Sequence, residues 1–322
     1  MTEGLVWRPA RPGGAGPAGA PSGRAAGGVP GGAGSGAGPA GAPSGRAAGG
    51  VPGGAGSGAG AAGWPPVLVA EELLAAGVVA AFSSRAGGFG TGPYESLNLG
   101  LHVGDDLRTV LRNRRRLATV LSVAGLPWAT VRQVHSARTV RARPEALGQG
   151  PPEARPPLAE ADAIVTDQPG VLLAVFMADC VPLLLADPAA RVVGAVHAGW
   201  RGLVAGAVEA GVEAFAGLGA DLGASVALVG PAIGPCCYEV GPEVAEAVGE
   251  RYPAAAATTT EGSLAIDTTA ATVQALERAG MGAVRAAHEC TAHQPERFFS
   301  YRRDGASGRQ AGVIALLERR PA

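Results

Sequence analysis

The sequence predicts an α+β fold of layered, mixed β-sheets with flanking helices, and three observations carry that prediction. Short, strongly apolar runs crowd the middle of the chain, as strands covered on both faces require. Segments with helical apolar spacing lie before and after them. The two kinds do not alternate strictly, which favours separate layers over a doubly wound parallel sheet.

Taken in order, Val67–Ala70 and Val78–Ser83 read as strands around a short helix over Glu71–Ala76. Residues 84–98 (SRAGGFGTGPYESLN) are rich in turn formers. Leu107, Val110, Leu111, Leu117, Val120 and Leu121 predict an amphipathic helix over Asp105–Val123, with Arg112, Arg114, Arg115 and Arg116 as its solvated face. A strand is expected over Val131–Arg141 and a Pro-rich loop over Gly148–Ala159. Four apolar strands follow at Ala163–Thr166, Val171–Phe176, Val181–Ala186 and Val192–His197. Helices are expected over Leu203–Phe215, Pro242–Arg251 and Thr268–Ala279. Further strands fall at Val226–Val229, Val284–Ala287 and Ala311–Leu316.

Residues 1–62 stand apart. Positions 16–37 (GPAGAPSGRAAGGVPGGAGSGA) recur unchanged at 38–59. Each copy has one valine and no larger apolar side chain, so neither has a face to bury. We expect a disordered Gly/Pro/Ala-rich tail, and one catalytic domain over 63–322.

A net charge of −1 provides no electrostatic footprint for nucleic acid. All 26 basic residues are arginine, so an arginine is weak evidence of function by itself. Four cysteines are too sparse for a disulfide scaffold. The N-terminal residues lack the basic-then-apolar pattern of a secretory signal. The longest apolar run, Val171–Ala186, is broken by Asp179 and Pro182, short of the roughly 20 apolar residues a bilayer needs. A cytoplasmic protein with reduced thiols and no membrane partner is the expectation; oligomeric state is not legible.

The chemistry-bearing residues are few. Of five histidines (His102, His135, His197, His288 and His293), His197 ends an apolar strand in "GAVHAGWRGLVAG". Ala198-Gly199 permits a tight turn, Trp200 reads as a packing wedge, and Arg201 falls at a helix start that favours anions. A hydrogen-bonded core histidine is an equal reading of His197. Cys180 lies between "VLLAVFMAD" and "VPLLLAD", where Pro182 is expected to interrupt the strand. Cys180 also reads as a small core residue, whereas Asp179 beside it is costly unless partnered. His135, in "TVRQVHSARTV", reads locally as a half-exposed strand residue. Two imidazoles and one thiolate form a zinc set with an open fourth position, yet spacings of 45 and 17 residues match no local signature. A rival set is Cys236, Cys237, Cys290 and His293. Adjacent cysteines are poorly placed to chelate one ion, so Cys236 and Cys237 read as packing or loop residues, and His288 as structural.

Six stretches occur in order: "SSRAGGFGTGPYESLNLGLHVGDD", "QVHSARTV", "ADAIVTDQPGVLLAVFMADCVPLLLADP", "VVGAVHAGWRGLVAG", "GPAIGPCCYEVGPEV" and "CTAHQPERFFSYRRDGASGRQAGVIAL". Over residues 65–318 the chain resembles the YfiH family, often labelled polyphenol oxidase or laccase-domain proteins. The resemblance implies a layered α+β fold akin to the catalytic domain of cytotoxic necrotizing factor toxins. It implies one metal per chain, usually zinc, held by His135, Cys180 and His197, which also serve catalysis. It further implies phosphorolysis of adenosine, inosine and S-methyl-5′-thioadenosine, and deamination of adenosine, with nucleoside and phosphate as small-molecule partners. Arg201 and Arg85, the latter in the glycine-rich turn "SSRAGG", are the candidate phosphate contacts; Asn98 is a candidate pocket residue. A multicopper oxidase needs about ten histidines, largely in His-x-His pairs. Five histidines and no such pair disfavour laccase chemistry, with Cu2+ in the same site the lesser alternative to zinc. The other alternative is a Cys/His amidase on a peptidoglycan precursor, with Cys180 as nucleophile and His197 as base.

Overall fold

A computed structural model describes residues 5–8 and 64–318; the tandem repeat at 16–59 lies outside them. The strands are β1 (Leu5–Arg8), β2 (Val67–Ala70), β3 (Val78–Ser83), β4 (Trp128–Thr130), β5 (Thr139–Arg141), β6 (Ala163–Thr166) and β7 (Leu172–Met177). They continue with β8 (Val181–Asp187), β9 (Val192–Ala198), β10 (Val226–Val229), β11 (Ala256–Thr258), β12 (Leu264–Ile266), β13 (Ala283–Ala286) and β14 (Gln310–Leu316). The helices are α1 (Glu71–Ala75), α2 (Leu107–Val120), α3 (Trp200–Ala205), α4 (Ala207–Ala216), α5 (Pro242–Arg251), α6 (Thr268–Arg278) and α7 (Tyr301–Asp304).

Two six-stranded mixed sheets form the α+β body. Sheet I runs β1-β2-β3-β14-β7-β4 and sheet II runs β13-β10-β8-β9-β6-β5; β11 and β12 make a separate hairpin. The sheets stack face to face. Phe82, Leu173, Val175 and Ile314 of sheet I share one core with Ile164, Leu184, Val193, Ala195 and Leu228 of sheet II. The outer face of sheet I is covered by α2, through Leu117, Ala118 and Leu121. The outer face of sheet II is covered by α3 to α6, through Leu203, Val208, Val212, Phe215 and Leu276. Along β8, Val181, Leu183 and Leu185 face the helices while Leu184 and Ala186 face the other sheet. Both faces are buried, so the strand reads as an unbroken apolar run.

Four sequence expectations need correction. Leu5–Arg8, assigned by composition to the disordered tail, form an edge strand paired antiparallel with β2. Their alternation turns Leu5 and Trp7 inward, and Trp7 Nε1 donates to Glu289 Oε1 at 2.5 Å. The strand expected over Val131–Arg141 is mostly a crossover: β4 of sheet I ends at Thr130, and only Thr139–Arg141 form a strand, β5 of sheet II. The single helix over Leu203–Phe215 is α3 and α4, divided at Gly206, whose φ of +90° no helix tolerates. The arginine face of α2 is not wholly solvated. Arg114 is 2% exposed; it donates to the carbonyls of Leu99 and Glu153 at 2.9 and 2.8 Å. Its guanidinium lies 4.9 Å from the Trp128 ring centre and 4.6 Å from that of Phe176. Burial pulls its pKa down to about 9.

Candidate metal centre

Two segments cross from sheet I to sheet II, and each delivers a candidate ligand. The first, residues 131–138, connects β4 to β5 and carries His135. The second, residues 178–180, connects β7 to β8 and carries Cys180. The strand interruption therefore falls at residues 178–180, not at Pro182. Pro182 sits inside β8, opposite His197 in β9 and just past the last β10 pair, Leu183 with Val229. The register that pairs Val181 with Ala198 and Pro182 with His197 sets His197 beside the second crossover.

Both crossovers are pinned by side-chain hydrogen bonds. Gln133 forms a two-way bond with the backbone of Phe176: its Nε2 donates to the carbonyl at 2.7 Å, and its Oε1 accepts the N–H at 2.8 Å. Asp179 adopts φ +100°, a strained conformation its carboxylate helps to hold. One oxygen accepts from Thr291 Oγ1 and the other from the Arg302 N–H, both at 2.7 Å. These are the partners that an acid in an apolar run demands.

Asp162, fully buried just before β6, organises the rest. Its carboxylate accepts the N–H groups of Val134 (3.2 Å), His135 (2.9 Å) and Ser136 (2.6 Å), plus Ser136 Oγ (2.9 Å). Three successive N–H groups around His135, itself at φ +58°, make an anion-binding concavity that a protein carboxylate fills. Asp162 Oδ1 also accepts from His197 Nδ1 at 3.0 Å. A carboxylate only accepts, so Nδ1 carries a proton, and Nε2 is the nitrogen left to ligate. Burial pushes the Asp162 carboxyl up, but the bonds from His197 and Ser136 outweigh it and bring it to about 2. Sequence reading passed over Asp162; the signal available was an acid at the head of a buried strand.

The three ligand atoms of His135, Cys180 and His197 lie within 4.8 Å of one another. Cys180 Sγ is 3.8 Å from His135 Nε2, and the two imidazole centres are 5.0 Å apart, nearly edge to face. In tetrahedral zinc with Zn–S ~2.3 Å and Zn–N ~2.05 Å, the sulfur–nitrogen edge is ~3.6 Å. The donor set therefore fits such an ion, with the carboxylate–histidine support typical of ligating imidazoles. Burial pushes the Cys180 thiol up, but His197 and His135 bring it down to about 6. His197 is pulled down by burial and raised to about 9 by Cys180 and Asp162. A thiolate is thus favoured even before any cation arrives. Gly199 closes the site from above: a Cβ there would sit 2.8 Å from Cys180 Sγ and 2.9 Å from His135 Cδ2.

The other expected site residues fall elsewhere. Arg201 is exposed at the start of α3, its guanidinium 4.3 Å from the centre of Trp200. Cys180 and Arg201 both lie close enough to perturb the Tyr238 hydroxyl, which burial pushes up to about 12. Arg85 donates to the carbonyls of Glu95 (2.8 Å) and Pro295 (2.9 Å). It lines a cleft of about 380 Å³ with Glu95 and Glu296, none of whose lining residues is a candidate metal ligand. Asn98 is fully buried. Its Nδ2 donates to Gly100 O and Asp105 Oδ2, and its Oδ1 accepts from the N–H groups of Gly100 and Arg309. Its amide is saturated by protein, so it positions Arg309. Arg309, unremarked in the sequence, senses the charges of Cys180 and Asp179.

The loop cysteines also differ from expectation. Cys236 and Cys237 turn their thiols to the same side, 3.5 Å apart, because they close a tight turn over Pro235–Cys237.

A family model described as multi-copper polyphenol oxidoreductase laccase matches residues 79–317. The chain is 44% identical over 235 residues to a purine nucleoside phosphorylase of Streptomyces coelicolor, covering 73% of this chain and 94% of that protein. It is 41% identical over 255 residues to a purine nucleoside phosphorylase of Deinococcus radiodurans, covering 79% and 94%. Among solved structures it is similar to YlmD from Geobacillus stearothermophilus, with 34% identity and a TM-score of 0.70 over 78% of this chain and 96% of that one. It is also similar to YfiH from Bacillus licheniformis, with 32% identity and a TM-score of 0.71 over 80% and 97%.

Proposed function

The chain belongs to the YfiH family, and on that premise we propose that it is a zinc-dependent purine nucleoside phosphorylase. Adenosine, inosine and S-methyl-5′-thioadenosine are its substrates, and adenosine deamination is a side activity of the same site. The observation that carries this reading is the convergence of His135, Cys180 and His197 in a chain whose relatives are named purine nucleoside phosphorylases. Those three side chains would hold the ion. Zinc with an open position supplies Lewis acidity and lowers the pKa of bound water.

The chain's own residues do the rest. Asp162 holds the His197 Nδ1 proton and keeps Nε2 turned to the site. Asp162 also freezes the backbone around His135. Gly199, having no side chain, lets its backbone pack directly against Cys180 and His135. In phosphorolysis a phosphate oxygen forms a bond to the sugar C1′ as the bond from C1′ to the purine nitrogen breaks; the base leaves with that electron pair and takes up a proton. Arg201 is our candidate for holding the phosphate, where fixed cations are most effective. Arg309 is a second cation, close enough to feel the charges of Cys180 and Asp179.

The five histidines and the absence of a His-x-His pair weigh against a multicopper cluster in one chain. A second reading, a Cys/His amidase with Cys180 as nucleophile and His197 as base, draws on the same closeness of Cys180 to the imidazoles. One experiment separates them. Purified protein of known metal content is given adenosine with and without phosphate, and adenine, ribose 1-phosphate and inosine are followed. Phosphate-dependent adenine release that Cys180→Ala abolishes supports the proposal. Equal behaviour of wild type and Cys180→Ala refutes it, and activity on a cell-wall peptide by metal-free protein favours the amidase.

A further inference from the structure

The four cysteines of this chain divide between two places. Cys180 belongs to the centre above; Cys236, Cys237 and Cys290 gather in one spot with His293. These residues come from two loops more than 50 positions apart in sequence. A parallel bridge joins Ala232 to Cys290, and the Thr291 N–H donates to Ala232 O at 2.9 Å. Fixed in this way, the loops turn their sulfurs toward one another.

The geometry points to a second, thiolate-rich zinc site, built from Cys236, Cys237 and His293 with Cys290 as the fourth donor. The ligand atoms of the first three all lie within 4.8 Å of one another. In a tetrahedral zinc site the sulfur–sulfur edge is ~3.8 Å and the sulfur–nitrogen edge ~3.6 Å. Here the Cys236 and Cys237 sulfurs are 3.5 Å apart, and Cys237 Sγ is 4.0 Å from His293 Nδ1. Both edges need only a few tenths of an ångström of adjustment. Cys290 stands outside that trio, on the loop that carries His293: its Sγ accepts the Gly234 N–H at 3.2 Å, a bond that leaves the sulfur free to ligate. A Cβ on Gly234 would lie 3.4 Å from Cys236 Sγ and 3.5 Å from Cys290 Sγ. The glycine thus lies between the two sulfurs it brings together.

Donor type supports the assignment. A set rich in sulfur with one imidazole selects zinc over hard cations such as magnesium or calcium. Cys236 and Cys237 are half-buried and His293 is exposed, so an ion has a route in. The site would act as a staple under the first centre. The same two loops are tied to Asp179, whose carbonyl accepts the Ile233 N–H at 2.9 Å and whose carboxylate accepts from Thr291.

The test is zinc stoichiometry under reducing conditions. Full-length wild type, Cys180→Ala and Cys237→Ser/His293→Ala are reconstituted with Zn2+, desalted and assayed for zinc per chain. Two equivalents are expected for wild type and one for each variant. In Cys180→Ala, zinc should also slow alkylation of Cys236 and Cys237 at least tenfold relative to chelator-treated protein, a readout that survives misfolding of the double variant. A wild type with one equivalent, lost completely in Cys180→Ala, overturns the proposal. So does a Cys236–Cys237 disulfide in metal-free protein that persists when zinc is supplied under reducing conditions.

Discussion

Gly199→Ala tests the first centre without altering any ligand. Gly199 has φ −81° and ψ 168°, an extended conformation that alanine adopts freely, so the backbone itself is not strained. The new methyl is another matter. It would lie 2.8 Å from Cys180 Sγ, 2.9 Å from His135 Cδ2 and 3.3 Å from His135 Nε2. Ordinary contact starts near 3.4 Å, so the sulfur must retreat by about 0.6 Å and the ring by about 0.5 Å. A functional constellation tolerates about 0.5 Å of misplacement, and 1 Å can cost about 100-fold in rate. We expect zinc affinity to fall about 10–100-fold, the range seen when a ligand's support is disturbed, with phosphorolysis falling alongside it. The metal-free variant stays folded, overpacking costing about 1–3 kcal/mol. Competition titration against a chromophoric chelator measures the affinity, and adenine release measures the rate. Wild-type affinity and wild-type turnover in Gly199→Ala would refute the convergence of Cys180 and His135 beneath this residue.

Three further outcomes follow from the same structure. Asp162→Asn replaces with a donor one of the two acceptor oxygens that fix His197 and the backbone of residues 134–136, and should weaken zinc binding about 10–100-fold. In metal-free protein the Asp162 carboxyl titrates near 2 when folded and near 3.8 when unfolded, so its stabilisation is complete above the unfolded value and lost as pH falls through the folded one. That contribution is about 2 kcal/mol; acid denaturation midpoints should show it in wild type and not in Asp162→Asn. Arg114→Ala should lower stability by about 3–5 kcal/mol, read from denaturant midpoints. It leaves the Leu99 and Glu153 carbonyls without their donor and a gap against Trp128, while zinc stoichiometry holds. Arg201→Ala should raise the KM for phosphate about 10–100-fold, equivalent to one charge-assisted bond of about 1.5–3 kcal/mol, with the nucleoside KM unchanged; an equal rise in both would remove Arg201 from the phosphate site.

The layered architecture was legible because burial on both faces of a strand leaves its mark residue by residue. β8 and β9 stand out as apolar runs, and α5 begins and ends where Pro242 and Arg251 indicate. What a local pattern cannot register is a change of sheet. Val131–Arg141 reads as one strand, yet residues 131–138 are the passage between sheets; only pairing partners show that β4 joins β7 and β5 joins β6. Arg114 was misread for a similar reason. Helical spacing tells which residues share a face, but not that Trp128 and Phe176 wait opposite an arginine.

By itself, then, the sequence determined the residue types available for chemistry, the apolar segments and, through six ordered motifs, the family. Two imidazoles and a thiolate separated by 45 and 17 positions carry no local signature of a common site. The tertiary structure decided that they meet, since two crossovers between stacked sheets and one strand register converge at a single point. It also decided how they are held, by Asp162 and Gly199. Ligand convergence depends on long-range strand pairing, and side-chain orientation on the bonds that pairing permits, so neither is written in any single stretch of chain.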